Sequence, residues 1–238
     1  ASLLVLLLAI LYIGTRTKEI SIKNAQVQMG TTAEKFAESI KAHLEKELEI
    51  TRTLSGTMQT HKLLPKDNFF DIYTNIYKDI LSKNSDIIAV WDSWELKHLD
   101  STYSKDFGRY KTTVWRENGE IKQKLEHASV TGDSNDYLRI KKEKLESLEE
   151  PYFDTYDSNS NNKILMTSII VPTIINDQFV GLVGIDIPLS NYYTVFKHIK
   201  PYAGSYAFLL SNSYKYIAYP DNDFIGQSAL NEYEDIFI

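Results

Sequence analysis

The run "FVGLVGIDIPLS", residues 179–190, holds one carboxylate, Asp186, in an otherwise apolar stretch. An uncompensated carboxylate in such surroundings costs several kcal/mol, so Asp186 needs a partner. An opposite charge within about 4–6 Å, from a ligand or from the chain itself, is an effective stabiliser. A lysine, backbone N–H groups or water are the alternatives. Other chemistries find less support. The chain has no cysteine, which excludes disulfides, thiolate catalysis and Cys-type zinc sites. His43, His61, His98, His127 and His198 show no metal-ligand spacing, which leaves carboxylates as the only ligands for a metal. No GxSxG, HExxH or serine–histidine pattern is visible. A hydrolase would have to rest on Asp154 and Asp186 as a carboxylate pair.

The elements that must position Asp186 begin with an apolar run, "SLLVLLLAILYIG" at residues 2–14, followed by Thr15-Arg16-Thr17-Lys18. It is shorter than the roughly 20 residues that span a bilayer, and it is read as part of a truncated membrane segment over 1–16. Met29, Ala33, Phe36, Ile40, Leu44, Leu48, Thr51 and Met58 then fall at steps of three, four or seven. That stripe predicts a helix of about 40 residues, and Pro65 ends it or the short segment that follows it. Beyond it the period changes. Residues 85–95 read as a strand, and 109–126 as a hairpin with Asn118-Gly119 in a type I′ turn. A second hairpin turns at Asn176-Asp177, and a helix over 189–199 follows with Ser190 as N-cap. A third hairpin spans 205–221, and the charged segment 127–150 reads as a helical cover on one side of the sheet. The net charge of −6 gives nucleic-acid binding no electrostatic support. Trp91 and Trp94 share one strand three positions apart, so only one of them can face a pocket.

Four stretches in this order carry a family resemblance: "GRYKTTVWRENGEI", "EEPYFDTY", "ILMTSIIVPTIINDQFVGLVGIDIPL" and "GSYAFLLSNSYKYIAYPD". Together with the long helix they resemble the double Cache sensor domain of bacterial chemoreceptors, sensor kinases and diguanylate cyclases. The resemblance implies an α+β fold: a long N-terminal stalk helix flanking two PAS-like antiparallel sheets, the second incomplete in this chain. It divides the chain into a membrane segment (1–16), the stalk (17–64), a membrane-distal ligand-binding subdomain (65–203) and the start of a membrane-proximal one (204–238). It implies a non-enzymatic, cofactor-free receptor domain outside the plasma membrane, anchored by its N-terminus and paired as a homodimer through the stalks.

By the same resemblance, Asp186 receives a ligand ammonium group, and Tyr152, Asp154 and Trp115 match further pocket positions. A tryptophan face attracts a cation by about 0.5–2 kcal/mol, which suits Trp115 to an amine. Tyr137 resembles a lid tyrosine, and Trp91 is the tryptophan carried as facing the pocket. The arginine that grips the carboxylate in amino-acid-binding relatives has no counterpart, because Thr113 stands there and Arg116 replaces a tyrosine. Arg109 or Arg116 would have to reach in from another angle. The resemblance therefore favours a small amine, with amino acids and purines as alternatives. A structural or adhesive ectodomain is the remaining reading. A filled core around Asp186, or a lysine paired with it, would mark it.

Overall fold

The computed structural model describes residues 2–64, 68–100, 102–105, 108–129, 135–156 and 163–230. Pro65, the expected stop, and residues 231–238, the end of the last expected segment, lie outside them.

The residues expected to form a membrane segment and a stalk make one unbroken helix, α1 (Ser2–Gln59), whose 58 residues run about 87 Å at about 1.5 Å each. Its apolar start is bare on all sides: Leu3, Leu7, Leu11 and Ile13 are each more than half exposed. No helix among the described residues is long and apolar enough to cross a membrane. The sequence stripe meets the body of the protein only from Phe36 onward. Phe36, Ile40, Leu44 and Leu48 are half-buried, Thr51 and Met58 buried, while Met29 and Ala33 are exposed. Ser55 ties the helix to the sheet, donating to the Pro172 carbonyl at 3.0 Å.

Helix α2 (Phe69–Lys83) buries Phe69, Tyr73, Tyr77 and Leu81, spaced four apart and thus on one face. Strands β1 (Ala89–Glu95), β2 (Arg109–Glu117), β3 (Glu120–Ala128), β4 (Ser147–Leu148), β5 (Tyr152–Asp154), β6 (Ile164–Ile175) and β7 (Gln178–Pro188) form one antiparallel sheet. Its order is β3-β2-β1-β7-β6-β4, with β5 also paired to β6. Short α3 (Leu96–Leu99) follows β1, and α4 (Asn135–Glu143) lies between β3 and β4. Both hairpin turns have the expected backbone, with positive φ at Asn118 and Gly119 (52° and 82°) and at Asn176 and Asp177 (49° and 60°).

Two details depart from the sequence reading. Among the described residues of 127–150 only α4 is helical, since β3 ends at Ala128 and Ser147–Leu148 form β4. Helix α5 (Ser190–Phe196) begins one residue earlier than expected relative to its cap: Leu189 is the N-cap, so Ser190 already lies inside the helix. A second sheet, β8 (Leu209–Leu210) paired with β9 (Tyr216–Ala218), follows α5. Phe196, Ile199 and Ala218 bury together there, with Phe36 and Ile40 of α1 packed against them.

Side chains alternate across a strand, so the large sheet has two distinct faces. Val90, Trp94, Val114, Ile169, Val171, Val183, Ile185 and Ile187 form the core with α1 and α2. The opposite face carries the site.

Candidate ligand-binding cavity

Register brings the site residues of four strands into adjacent rows. Asp186 of β7 stands opposite Ala89 on one side and Ser168 on the other, and Ala89 in turn pairs with Trp115. One step along, Gly184 pairs with Trp91, which pairs with Thr113. Trp91, Thr113, Trp115, Ser168 and Asp186 therefore share a face, and all five line one cavity of about 1040 Å³. Trp94 points the other way, fully buried in the core.

Asp186 is 3% exposed and takes three hydrogen bonds from neutral donors. The Trp91 indole N–H donates to Oδ1 at 2.8 Å, Ser168 Oγ to Oδ1 at 2.6 Å, and Tyr156 Oη to Oδ2 at 2.6 Å. Tyr152 Oη lies 2.6 Å from Ser168 Oγ. Because Ser168 gives its proton to Asp186, Tyr152 is the donor in that pair, and the chain runs Tyr152 to Ser168 to Asp186. Burial pushes the Asp186 carboxyl above its ordinary range, and the hydrogen bonds from Ser168, Tyr156 and Trp91 only partly oppose it. Burial, then the charge of Asp186, raises the Tyr152 and Tyr156 hydroxyls as well. An ionised carboxylate offers about four lone-pair positions, so one position on Oδ2 stays open to an incoming donor. Among the described residues no lysine or arginine pairs with Asp186.

Gly184 explains the shape of this corner. A Cβ there would stand 2.3 Å from Cζ2 of Trp91, so the indole lies directly over the glycine. Trp115 forms the neighbouring wall, stacked with Tyr156 at 5.7 Å between ring centroids and 24° between planes.

Tyr137 lines the cavity from α4. Its hydroxyl donates to buried Glu95 at 2.8 Å, and the Arg109 guanidinium lies 3.8 Å over its ring. Burial, the largest influence on Glu95, pushes its carboxyl up, but bonds from Lys141 and Tyr137 outweigh it and hold the group below its usual range. Arg139 of α4 donates to Ser147 Oγ at 3.0 Å and Glu149 Oε1 at 2.8 Å. Lys111 and Lys124 share Glu126, at 3.3 and 2.6 Å. Asn212 and Lys215, from the turn between β8 and β9, complete the rim.

Of the residues singled out from the sequence, the structure gathers Trp91, Arg109, Trp115, Tyr137, Tyr152, Asp154 and Asp186 around this cavity. Asp154 sits at its exposed margin, where its carboxylate accepts from the Thr155 backbone N–H at 2.7 Å. Arg116 is a correction. It neighbours Trp115 in β2 and so faces the other side of the sheet, where it donates to the Leu81 carbonyl of α2. Arg109 faces the cavity but is committed, donating to the Ser129 carbonyl at 2.6 Å and to Ser93 Oγ at 3.0 Å. Sequence reasoning missed Tyr156 and Ser168. Tyr156 continues the alternation of Tyr152 and Asp154, a signal that was there to use. Ser168 gave none, because its importance comes only from standing opposite Asp186.

No protein-family model and no curated protein matches the chain. Solved structures do. The extracellular domain of mmHK1S-Z2, assigned as a histidine kinase, shares 26% identity at a TM-score of 0.68, over 84% of this chain and 74% of that one. Methyl-accepting Chemotaxis protein X shares 19% identity at a TM-score of 0.68, over 92% and 83%. The ligand-binding domain of the Pseudomonas aeruginosa PAO1 amino-acid chemoreceptor PctC, in complex with GABA, shares 15% identity at a TM-score of 0.54, over 83% and 75%. The chain thus has the Cache-type fold of the extracytoplasmic sensory domains of chemoreceptors and histidine kinases, and these neighbours are sensory rather than catalytic.

Proposed function

We propose that this chain is the extracytoplasmic sensor of a membrane-anchored receptor of the chemotaxis or sensor-kinase type, and that it binds a small organic cation at Asp186. The observation that carries the reading is a buried carboxylate with no cation beside it among the described residues, set in an aromatic corner that opens on a cavity. An ammonium group would take the open position on Oδ2 and lie against the faces of Trp115 and Tyr156. PctC, in complex with GABA, is a neighbour of the same fold whose bound molecule carries a primary amine.

A lysine beside Asp186 or a filled core around it would have favoured a purely structural ectodomain, and neither is present among the described residues. The bare apolar start of α1 supports an anchoring role for residues 2–14. The length of the unbroken helix beyond it supports transmission along a stalk.

The test is thermal unfolding of the 238-residue chain in detergent micelles with ethylamine, butylamine, choline, L-alanine and adenine as probes. A probe at 100 times its dissociation constant adds about 2.7 kcal/mol to stability. The amines are expected to raise the melting temperature, and Asp186→Asn to remove the effect. If no probe stabilises the chain, or if stabilisation survives Asp186→Asn, the reading is wrong.

A further inference from the structure

We infer that Asp92, in the core behind the cavity, is a proton-operated clamp: protonated, it holds α2 on the sheet, and ionised, it lets α2 lift. The clamp works whatever occupies the cavity.

Asp92 stands in the middle of β1, on the face that packs against α2, while its neighbours Trp91 and Ser93 turn to the cavity. It is fully buried, and so are Tyr77, Trp94 and Thr112 around it. Tyr77 Oη of α2 donates to Oδ2 at 2.6 Å, the Trp94 indole N–H to Oδ2 at 3.1 Å and the Thr112 backbone N–H to Oδ1 at 3.0 Å. All three donors are neutral, and no lysine, arginine or histidine among the described residues pairs with Asp92.

The surroundings supply no compensating charge. Tyr73 and Tyr77 face the carboxyl from α2, and Thr112 and Tyr110 from β2. Burial, then the charge of Asp92, raises all three tyrosine hydroxyls, with Asp71 adding to the effect at Tyr110. The residue beside Asp92 on β7 is the apolar Val183. His61, in the turn after α1, packs on Trp94 with 5.4 Å between ring centroids, and burial holds its pKa below the usual histidine range. Arg116, on the same face of β2, is bound to the Leu81 carbonyl. Burial accordingly raises Asp92 to about 6, and the bonds from Tyr77, Thr112 and Trp94 oppose it only in part.

The protonated form has its acceptor in place. Oδ2 already takes two bonds, so the proton belongs on Oδ1. Thr112, the register partner of Asp92, has a buried Oγ1 with no hydrogen-bond partner of its own. Ionised, Asp92 is an uncompensated charge in an apolar core, and water is its relief. β1 is locked between β2 and β7, so the element that can yield is α2. That helix reaches the sheet through Tyr77 and α1 through Tyr73, whose hydroxyl donates to the Thr57 carbonyl at 2.9 Å. Lifting α2 hydrates the carboxylate without breaking the sheet, and it releases the end of α1 from the same helix.

The test is hydrogen exchange of the 238-residue chain in micelles at pH 5 and pH 7.5, corrected for the intrinsic pH dependence of exchange. Asp92 titrates at about 6 in the closed form and at its ordinary value when hydrated, so opening of α2 should grow about tenfold over this interval. The α2 amides should exchange faster than those of β6 and β7 at both pH values, which marks a local opening. Asp92→Asn, which keeps a donor for Thr112 and an acceptor for Tyr77, should remove the pH dependence, with a urea unfolding curve confirming that it folds. In the parent chain carrying carbon-13-labelled aspartate, the signal that Asp92→Asn removes should titrate at about 6, and Tyr77→Phe should move that midpoint higher. A midpoint at about 4, or α2 exchange that does not change with pH, overturns the inference. So does α2 exchange no faster than that of β6 and β7, because Asp92 then answers only to global unfolding.

Discussion

Gly184→Ala is the sharpest test of how this site is built. The added Cβ would stand 2.3, 2.6 and 2.7 Å from three ring atoms of Trp91. Carbon atoms in contact sit about 3.5–4.0 Å apart, so the ring must retreat by about 1.2 Å or more. Its N–H lies 2.8 Å from Asp186 Oδ1, and the same retreat stretches that bond to about 4 Å, beyond hydrogen-bond range. Losing a hydrogen bond to a buried carboxylate costs about 1.5–3 kcal/mol, and forcing a methyl into a packed site about 1–3. The two share one movement of the ring, so the total expected is about 2–4 kcal/mol. For a chain of this size that lowers the melting temperature by roughly 4–16 °C. Trp91 fluorescence, isolated in a background with Trp94 and Trp115 replaced by phenylalanine, should change with it. A melting temperature within about 1 °C of the parent, with unaltered emission, would refute the argument that Gly184 is there to seat the indole against Asp186.

Three further outcomes follow from buried groups and open helix positions. Asp186 titrates above the usual carboxylate range, and a cationic ligand needs it ionised. Amine affinity should thus be constant at high pH and fall by up to tenfold per unit below the raised value, starting above about pH 4; calorimetric titration from pH 8 to 4.5 checks this, and a flat profile refutes it. On the core face, burial raises the fully enclosed Asp92 to about 6, against the bonds from Tyr77, Thr112 and Trp94. Raised from 3.8, it favours the folded state at pH below about 4, and that contribution of about 3 kcal/mol is lost as pH rises through about 6. Asp92→Asn should flatten the pH 4–7 stability curve by up to that amount in urea titrations. Gly56→Ala, exposed in the last turn of α1 with nothing near its would-be Cβ, should stabilise by up to about 1 kcal/mol in the same assay.

What the sequence could disclose divides along physical lines. Local rules worked: Asn118-Gly119 and Asn176-Asp177 turn as their chemistry requires, and a separation of three sends Trp91 and Trp94 to opposite faces. The same alternation, applied to Trp115, excludes Arg116 and adds Tyr156 to Tyr152 and Asp154. Contacts across the sheet were not legible. Trp91 and Asp186 meet only because β1 lies beside β7, an order that no local pattern encodes. Continuity of α1 was hidden for a different reason. The change from apolar to polar residues near position 15 suggests a boundary, yet helix formation depends on backbone propensity, and neither Gly14 nor Gly30 interrupts it.

The connection from the site to α1 is short. β7 carries Asp186, and only the buried Leu189 separates that strand from α5. On α5, the Tyr192 hydroxyl lies 3.1 Å from Nδ1 of His43 on α1. Beside His43 on the same helix is Glu47, completely buried and bridged to Lys46 at 2.9 Å. A ligand shifts such a system only by its difference in affinity between two arrangements. Three neutral donors already hold Asp186, so an arriving cation gains most in an arrangement where the carboxylate turns toward it and those donors yield. The least anchored donor by sequence position is Tyr156, which lies beyond the paired residues of β5, whereas Trp91 and Ser168 stand within β1 and β6. Rearrangement is therefore expected to begin at Tyr156, and its direct consequence is a changed load on β7 and the α5–α1 contact. Tyr156→Phe isolates this step: it removes one donor from Asp186 while keeping the ring stacked on Trp115. It should strengthen amine binding by severalfold, and weaker binding would show instead that Tyr156 helps to hold the ligand.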